Sequence, residues 1–488
     1  MNQKNQNFYT SAFRYGKSIK YTGYENGRKV KSSVPFKPVL HVTASNKGQP
    51  IKWHALDGTP VEPIVFNDMS EATTFIKSYK DVPAFKIFGN TNYVIQYLNE
   101  EFPGEIAWDR NVINVTSLDI ECKSGDGFPE PELADQEITA ITTKNNIDDT
   151  YHTFGCGEYD VSKSLMQTHS VRYVKCQDEK DLLYKFVSHM EATSPDVITG
   201  WNVEFFDIPY LVNRIAKVNS EATMKRLSPW GLVDTRETKS GFGYTYGPQE
   251  SYRLDHIANV VLGEKKLDFG ELRDLNELHE HDYQKFIDYN IKDVELIDRM
   301  EDKLGLITLC LTMAYKGGVN YEQVLGTVAI WDALIYRDLA SKNIAVPMNS
   351  ESFKGAYPGG YVKEPQVGMH DWVCSFDLNS LYPSLMMQYN MSPETILLDD
   401  EPGVNVESVL AGQVQNTVPD TALAVNGTRF STKKLGVLPS IIQEIYTERV
   451  GHKQKQIKAE QELEVCTVKS EVYALEKRIA IAKNQQMA

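Results

Sequence analysis

Apolar and polar positions alternate in short runs over residues 1 to about 112, broken by turns such as "YENGRK" (24–29) and "LDGTP" (56–60). The Asn-Gly and Asp-Gly pairs in them favour tight hairpins. From about 113 to 304 the pattern changes. β-rich runs "NVINVTSLDIE" (111–121), "EITAITT" (137–143) and "DVITGWN" (196–202) alternate with helical ones, "KDLLYKFVSHM" (180–190) and "DIPYLVNRIAKV" (207–218). That alternation predicts a layered α/β unit. Residues 301–348 read as helices, including "VAIWDALIYRDLASK" (328–342). A Gly/Pro-marked segment, "GAYPGGYVKEP" (355–365), then opens a new unit whose first element is a strand, "WVCSFDL" (372–378). Residues 400–436 read as loop. The pattern turns helical from Pro439, a favourable first-turn residue, and stays so to the end with a break near 459–465. There is no internal repeat and no low-complexity tract.

A chain of 488 residues exceeds what one core usually serves, so about two to four domains are expected. No apolar run approaches the roughly 18–20 residues of a membrane helix, so no membrane partner is expected. The nearest, "LGLITLCLTMAY" (304–315), is short and carries Thr308 and Thr312, which suits a buried helix. The six cysteines (122, 156, 176, 310, 374, 466) form no C-x-x-C pair. This argues against a zinc ribbon or a disulfide framework and for a reducing cytoplasm. The net charge of −15 lowers the expectation of nucleic-acid binding without excluding it. Contact with DNA depends on local patches, and a metal-dependent enzyme spends carboxylates on cations.

Three carboxylate motifs carry the chemistry. "SLDIEC" puts Asp119 and Glu121 two apart on an apolar strand, hence on one face. Such a pair suits either a solvent-facing edge or a cation, because two buried acids repel unless a cation lies between them. In "TGWNVEFFDIPYLVNR" (199–214), Asp207 stands just before a helix opened by Pro209, either as a simple cap or as a ligand. In "DYNIKDVEL" (288–296), Tyr289 and Asp293 are one helical turn apart. Each is weak alone. Together, four acids from a strand, a turn and a helix suffice to hold two Mg²⁺ ions for phosphodiester hydrolysis, with Tyr289 orienting the attacking water.

"DIE", "NxxxFD" and "YxxxD" resemble the three exonuclease motifs of DnaQ-like 3′–5′ exonucleases. In order and spacing they are similar to the proofreading domain of family B DNA polymerases. "SFDLNSLYPSLMMQYNMSPET" (375–395) resembles motif A of that family. The resemblance implies that Asp377 binds both polymerase metals with help from the Leu378 carbonyl. It implies that the amides around Ser380 and Leu381 cradle a triphosphate, and that Tyr382 rejects ribonucleotides. A strand-end aspartate before a turn of free N–H groups suits such an anion. "GAYPGGY" is similar to the template-contacting linker of the family, or is an ordinary loop. "ERVGHKQKQIK" (448–458) matches the first fingers helix, in which Arg449 and Lys453 would grip the incoming dNTP. Residues 433–488 hold ten Lys/Arg against seven Asp/Glu, a basic excess that also fits a solvated helix face. "RIAIAKNQQMA" (478–488) would be the returning fingers helix.

The resemblance spans nearly the whole chain, and "TGWNVEFFDIPYLVNR", "SFDLNSLYPS" and "WDALIY" (331–336) carry a finer match to polymerases of T-even-type bacteriophages. The implied fold is α/β and α+β multidomain. Residues 1–112 form an N-terminal domain returning at about 305–348, and 113–304 an RNase H-like (DnaQ-type) exonuclease domain. Residues 349–434 form the first part of a palm, and 435–488 an incomplete helical-hairpin fingers. The implied cofactors are two Mg²⁺ per site, with Mn²⁺ as an alternative. The partners are primer-template, single-stranded DNA and dNTPs, in the cytoplasm of an infected bacterium. Two departures stand out. The chain ends where the K-x-x-x-N-S-x-Y-G motif would begin, and motif C is missing too. One aspartate cannot hold both ions, so polymerisation is expected to need a C-terminal partner chain carrying motifs B and C, the chain being either one part of a split polymerase or a truncated product. "TRETKSGFGYTYGPQESYRL" (235–254) replaces a strand usual in relatives, which puts the exonuclease platform in question. A non-catalytic DNA-binding scaffold and a free-standing exonuclease are the alternative readings.

Overall fold

The computed structural model describes residues 7–45, 50–125, 127, 129–233, 250–270, 272–348, 359–397, 401–464, 466 and 469–487. The chain begins with β1 (Phe8–Tyr15), β2 (Ser18–Glu25), β3 (Arg28–Pro35), β4 (Val39–Thr43), β5 (Trp53–Ala55) and β6 (Pro60–Val65). α1 (Met69–Tyr79), β7 (Ile87–Phe88) and α2 (Tyr93–Glu101) follow. Next come β8 (Val115–Cys122), β9 (Ile138–Asn145), β10 (Thr150–Gly155), β11 (Ser170–Lys175), α3 (Glu179–Thr193) and β12 (Val197–Thr199). Then α4 (Asp207–Val218), α5 (Glu221–Lys225), α6 (Leu254–Leu262), α7 (Leu275–His281) and α8 (Tyr283–Leu304). α9 (Leu306–Gly317), α10 (Thr327–Ser341) and β13 (Ile344–Ala345) precede α11 (Leu381–Gln388), β14 (Ile396–Leu397) and α12 (Val406–Leu410). β15 (Thr421–Leu423), β16 (Arg429–Ser431), α13 (Val437–Glu464) and α14 (Lys469–Met487) complete it. The architecture is mixed α/β in several units, and no helix among the described residues is long and apolar enough to cross a membrane.

One compact unit holds the described residues within 1–11, 23–30 and 107–308. Its sheet runs β11-β10-β9-β8-β12, with β8, β9 and β10 antiparallel in turn and β12 parallel to β8. The period of two along β8 divides its side chains. Leu118 and Ile120 join a core with Phe186 and Val187 of α3 and Tyr210, Leu211 and Ile215 of α4. Each such buried side chain contributes about 1.5–3 kcal/mol. Asp119 and Glu121 take the alternate positions, on the opposite face. α8 packs its own apolar residues, Phe286, Ile287, Ile291 and Val294, against Ala140 of β9 and Tyr151 of β10. β8 is therefore paired on both sides and covered on both faces. The segment 235–249, which was expected to weaken this platform, lies outside the described residues.

The other unit holds residues 12–22, 31–106 and 309–488. It contains the sheet β13-β5-β6-β4-β7, the small sheet β14-β16-β15 and the α13–α14 pair. Three expectations are corrected here. Residues 372–378 form no strand and are exposed, Trp372 almost completely, because a strand exists only through a paired neighbour and none lies beside this run among the described residues. The stretch 400–436 is not mere loop, since it carries α12 and the β15–β16 hairpin. Its end is tied down by Asn390, which donates to the Ser431 and Lys434 carbonyls and accepts from Gly436 N–H. With Gly436 so fixed, α13 starts at Val437, two residues before Pro439.

Candidate active site

The strand, the turn and the helix singled out in the sequence converge in the first unit. One carboxylate oxygen from each of Asp119, Glu121 and Asp293 lies within 4.8 Å of the other two. Asp207 is not a member of this triangle. It is the first residue of α4 and caps nothing; its Oδ1 accepts from Ile120 N–H of β8 at 3.2 Å. Gly200 makes that approach feasible, because a Cβ there would sit 2.5 Å from the Leu118 carbonyl oxygen. The solvent-facing alternatives do not apply, since Glu121, Asp207, Tyr289 and Asp293 are all buried.

Two further residues enter the site. Lys266, on the link between α6 and α7, puts Nζ 2.5 Å from Asp293 Oδ2 and 3.3 Å from the Tyr289 hydroxyl. Asn290 of α8 donates from Nδ2 to Asp119 Oδ2 at 2.7 Å. Neither was legible in the sequence. A lysine on an irregular link belongs to no periodic pattern, and Asn290 lies between two motif residues without matching either.

Burial dominates the electrostatics. It raises Asp119 well above the ordinary carboxylate range, reinforced by the charges of Asp293, Glu121 and Asp207 and opposed by Lys266. Burial, with Asp293 and Asp207, lifts Glu121 to about 8. Asp207 rises to about 6 through burial, against the Ile120 hydrogen bond. Asp293 also rises to about 6 by burial, against Lys266. Burial disfavours the Lys266 ammonium, yet Asp293 and Tyr289 outweigh it and hold its pKa above the usual lysine range. Four acids face one cation. Asp293 Oδ1, moreover, is buried with no hydrogen-bond partner among the described residues. An all-oxygen donor set short of positive charge, one of whose carboxylates keeps an unsatisfied oxygen, fits a hard divalent cation.

In the other unit the motif-A residues are arranged more openly. Asp377 and Leu378 are exposed, and among the described residues Asp377 joins no carboxylate cluster. Ser380 is left-handed at φ 52° and precedes α11, whose first residues are Leu381 and Tyr382. Arg449 of α13 donates from Nη1 to Ser380 Oγ at 2.9 Å, and Lys453 is exposed one turn further along. The structure thus joins Ser380 to Arg449 and leaves Asp377 by itself. Of the "GAYPGGY" run, residues 355–358 lie outside the described residues; Gly359, Gly360 and Tyr361 are exposed.

The exonuclease domain of DNA polymerase family B matches residues 88–261, which include Asp119, Glu121 and Asp207. The DNA polymerase family B profile itself matches residues 328–476, from before Asp377 to beyond Lys453. The chain belongs to DNA polymerase family B. It is 30% identical to the DNA-directed DNA polymerase of Escherichia phage RB69 over 94% of this chain and 55% of that protein. The DNA-directed DNA polymerase of Enterobacteria phage T4 is 28% identical over the same shares. The DNA polymerase delta catalytic subunit of Dictyostelium discoideum is 29% identical over 69% of this chain and 32% of its own. The chain spans about half the length of the phage relatives it matches.

Proposed function

We propose that this chain is the N-terminal part of a phage replicative DNA polymerase and that its first unit is a 3′–5′ proofreading exonuclease acting on single-stranded DNA. Asp293 Oδ1, buried in a set of four acids and without a hydrogen-bond partner among the described residues, carries this reading. Two divalent cations, Mg²⁺ or Mn²⁺, would be held by Asp119, Glu121, Asp207 and Asp293 and would supply Lewis-acid charge against the scissile phosphate. Tyr289 and Lys266 aim a hydroxyl and an ammonium into the same space, placed to orient water and the departing oxygen. The antiparallel β8–β10 meander with β12 parallel to β8 supports an RNase H-like reading of this unit. The domains proposed are 1–112 with 305–348, 113–304, 349–434 and 435–488, the last a helical-hairpin fingers.

Polymerisation belongs to the same proposal. Asp377 with the Leu378 carbonyl would hold the polymerase cations, and the N–H groups at Ser380 and Leu381, with Arg449 and Lys453, the dNTP triphosphate. Tyr382 would shut out the ribose hydroxyl. A polypeptide carrying motifs B and C would supply further carboxylates beside Asp377, which among the described residues joins no carboxylate cluster, and a neighbour for the run 372–378, which among the described residues pairs with no strand. The place of action is the cytoplasm of an infected bacterium.

The test is Mg²⁺-dependent release of nucleotides from single-stranded DNA, repeated with Asp119→Ala and Glu121→Ala. Release by the parent chain and none by the variants is expected; equal release by all three would refute the site. A polypeptide matching the remaining half of the phage relatives should then enable primer extension, and Asp377→Ala should abolish it while sparing the nuclease.

A further inference from the structure

Asp119, Thr142 and Thr153 stand side by side on β8, β9 and β10, in direct cross-strand register. Asn290 of α8 lies over them. Its Nδ2 donates to Asp119 Oδ2 at 2.7 Å, its Oδ1 accepts from Thr142 Oγ1 at 2.5 Å, and Thr142 Oγ1 lies 2.9 Å from Thr153 Oγ1. Asn290, Thr142 and Thr153 are completely buried.

The directions of these bonds follow from the donors available. With Asp119 ionised, as cation binding would require, its carboxylate only accepts, so the amide turns its NH₂ toward Asp119 and its oxygen toward Thr142. Thr142 has a single hydroxyl proton and gives it to that oxygen. Thr153 must therefore donate to Thr142. The result is a one-way chain of neutral donors from Thr153 to Asp119, and such chains polarise and strengthen one another.

This chain solves a specific problem. Asp119 shares its face of β8 with Glu121 and is pushed by Glu121, Asp293 and Asp207. A second ammonium beside it would hold it still but would compete with a cation. A neutral amide fixes one carboxylate oxygen without adding charge and leaves the other for metal. From this geometry we infer that Asn290 is a positioning residue for the metal site, setting the Asp119 carboxylate through a relay that Thr142 and Thr153 orient. The inference rests on the cation-binding reading above. Losing a partner that orients a metal ligand typically weakens metal binding about 10–100-fold.

The experiment is direct titration of the full chain with Mn²⁺ alone, followed by electron paramagnetic resonance, with folding checked by circular dichroism. Asn290→Leu keeps the volume and removes the donor, and should weaken Mn²⁺ by about 10–100-fold. Thr142→Val keeps the shape but frees the amide to turn its oxygen toward Asp119; it should also weaken Mn²⁺, while Thr142→Ser should bind like the parent. Should Asn290→Leu not fold, the Thr142→Val and Thr142→Ser pair decides. Parent-like affinity in folded Thr142→Val overturns the relay even though Asp119→Ala abolishes binding. If the parent chain itself binds no Mn²⁺, the metal-site reading falls and the relay falls with it.

Discussion

Lys266 and Asp293 form an unequal pair: the ammonium lies 2.5 Å from one carboxylate oxygen, while the other oxygen is buried and unpartnered among the described residues. Half of the carboxylate is neutralised inside the protein, and the other half is open to the cation proposed above.

Removing the ammonium leaves Asp293 buried beside three other acids. Breaking a buried ion pair from one side typically costs about 3–5 kcal/mol. Lys266→Met is therefore expected to lose about 3 kcal/mol of stability in urea unfolding with EDTA. Mn²⁺ should restore part of it, since a cation replaces the missing charge. Unchanged unfolding in EDTA would mean that the pair carries no stability.

Asp119→Asn and Glu121→Gln should separate stability from activity. Each removes a group whose buried charge repels its neighbours, and should raise the melting temperature in EDTA at alkaline pH, where that charge is present. Each should also cost the nuclease several kcal/mol of transition-state stabilisation, about 10³-fold in rate. A fall in both quantities would point to a structural role for the acids.

The metal-free protein should lose stability as pH rises. Glu121 titrates at about 8 and Asp207 and Asp293 at about 6, whereas an unfolded carboxylate titrates near 4. Between pH 4 and 8 the folded chain holds protons that the unfolded chain has released, so the contribution is complete below pH 4 and declines through this window. In EDTA the melting temperature should fall from pH 5 to pH 8, less steeply in Glu121→Gln. An equal slope in the variant would remove Glu121 as the cause.

His41 on β4 gives the opposite sign in the other unit. Its ring lies tilted against that of Trp53, centroids 4.5 Å apart, neither ring nitrogen has a partner among the described residues, and burial holds it down to about 4. As pH falls from about 6.5 toward 4 the unfolded chain takes up the proton first, so stability is lost with acidity. His41→Phe should lose less melting temperature than the parent between pH 7 and pH 5. A parallel loss would show that the histidine does not contribute.

The sequence alone determined on which elements the four acids ride. A period of two puts Asp119 and Glu121 on one face of β8, and a helical turn puts Tyr289 and Asp293 together on α8; both follow from local backbone geometry. It also supplied the motif-A turn at Ser380. It failed at 372–378, because strand character written in the side chains becomes a strand only when another strand pairs with it. Tertiary structure alone decided that Asp207 is a partner of β8 and not a cap, that Lys266 faces Asp293, and that Asn290 reaches Asp119. Those contacts join residues 171 positions apart in one case and 27 in another. No periodicity encodes them, since they arise only when the sheet and α8 pack and desolvation makes every unpaired polar group seek a partner.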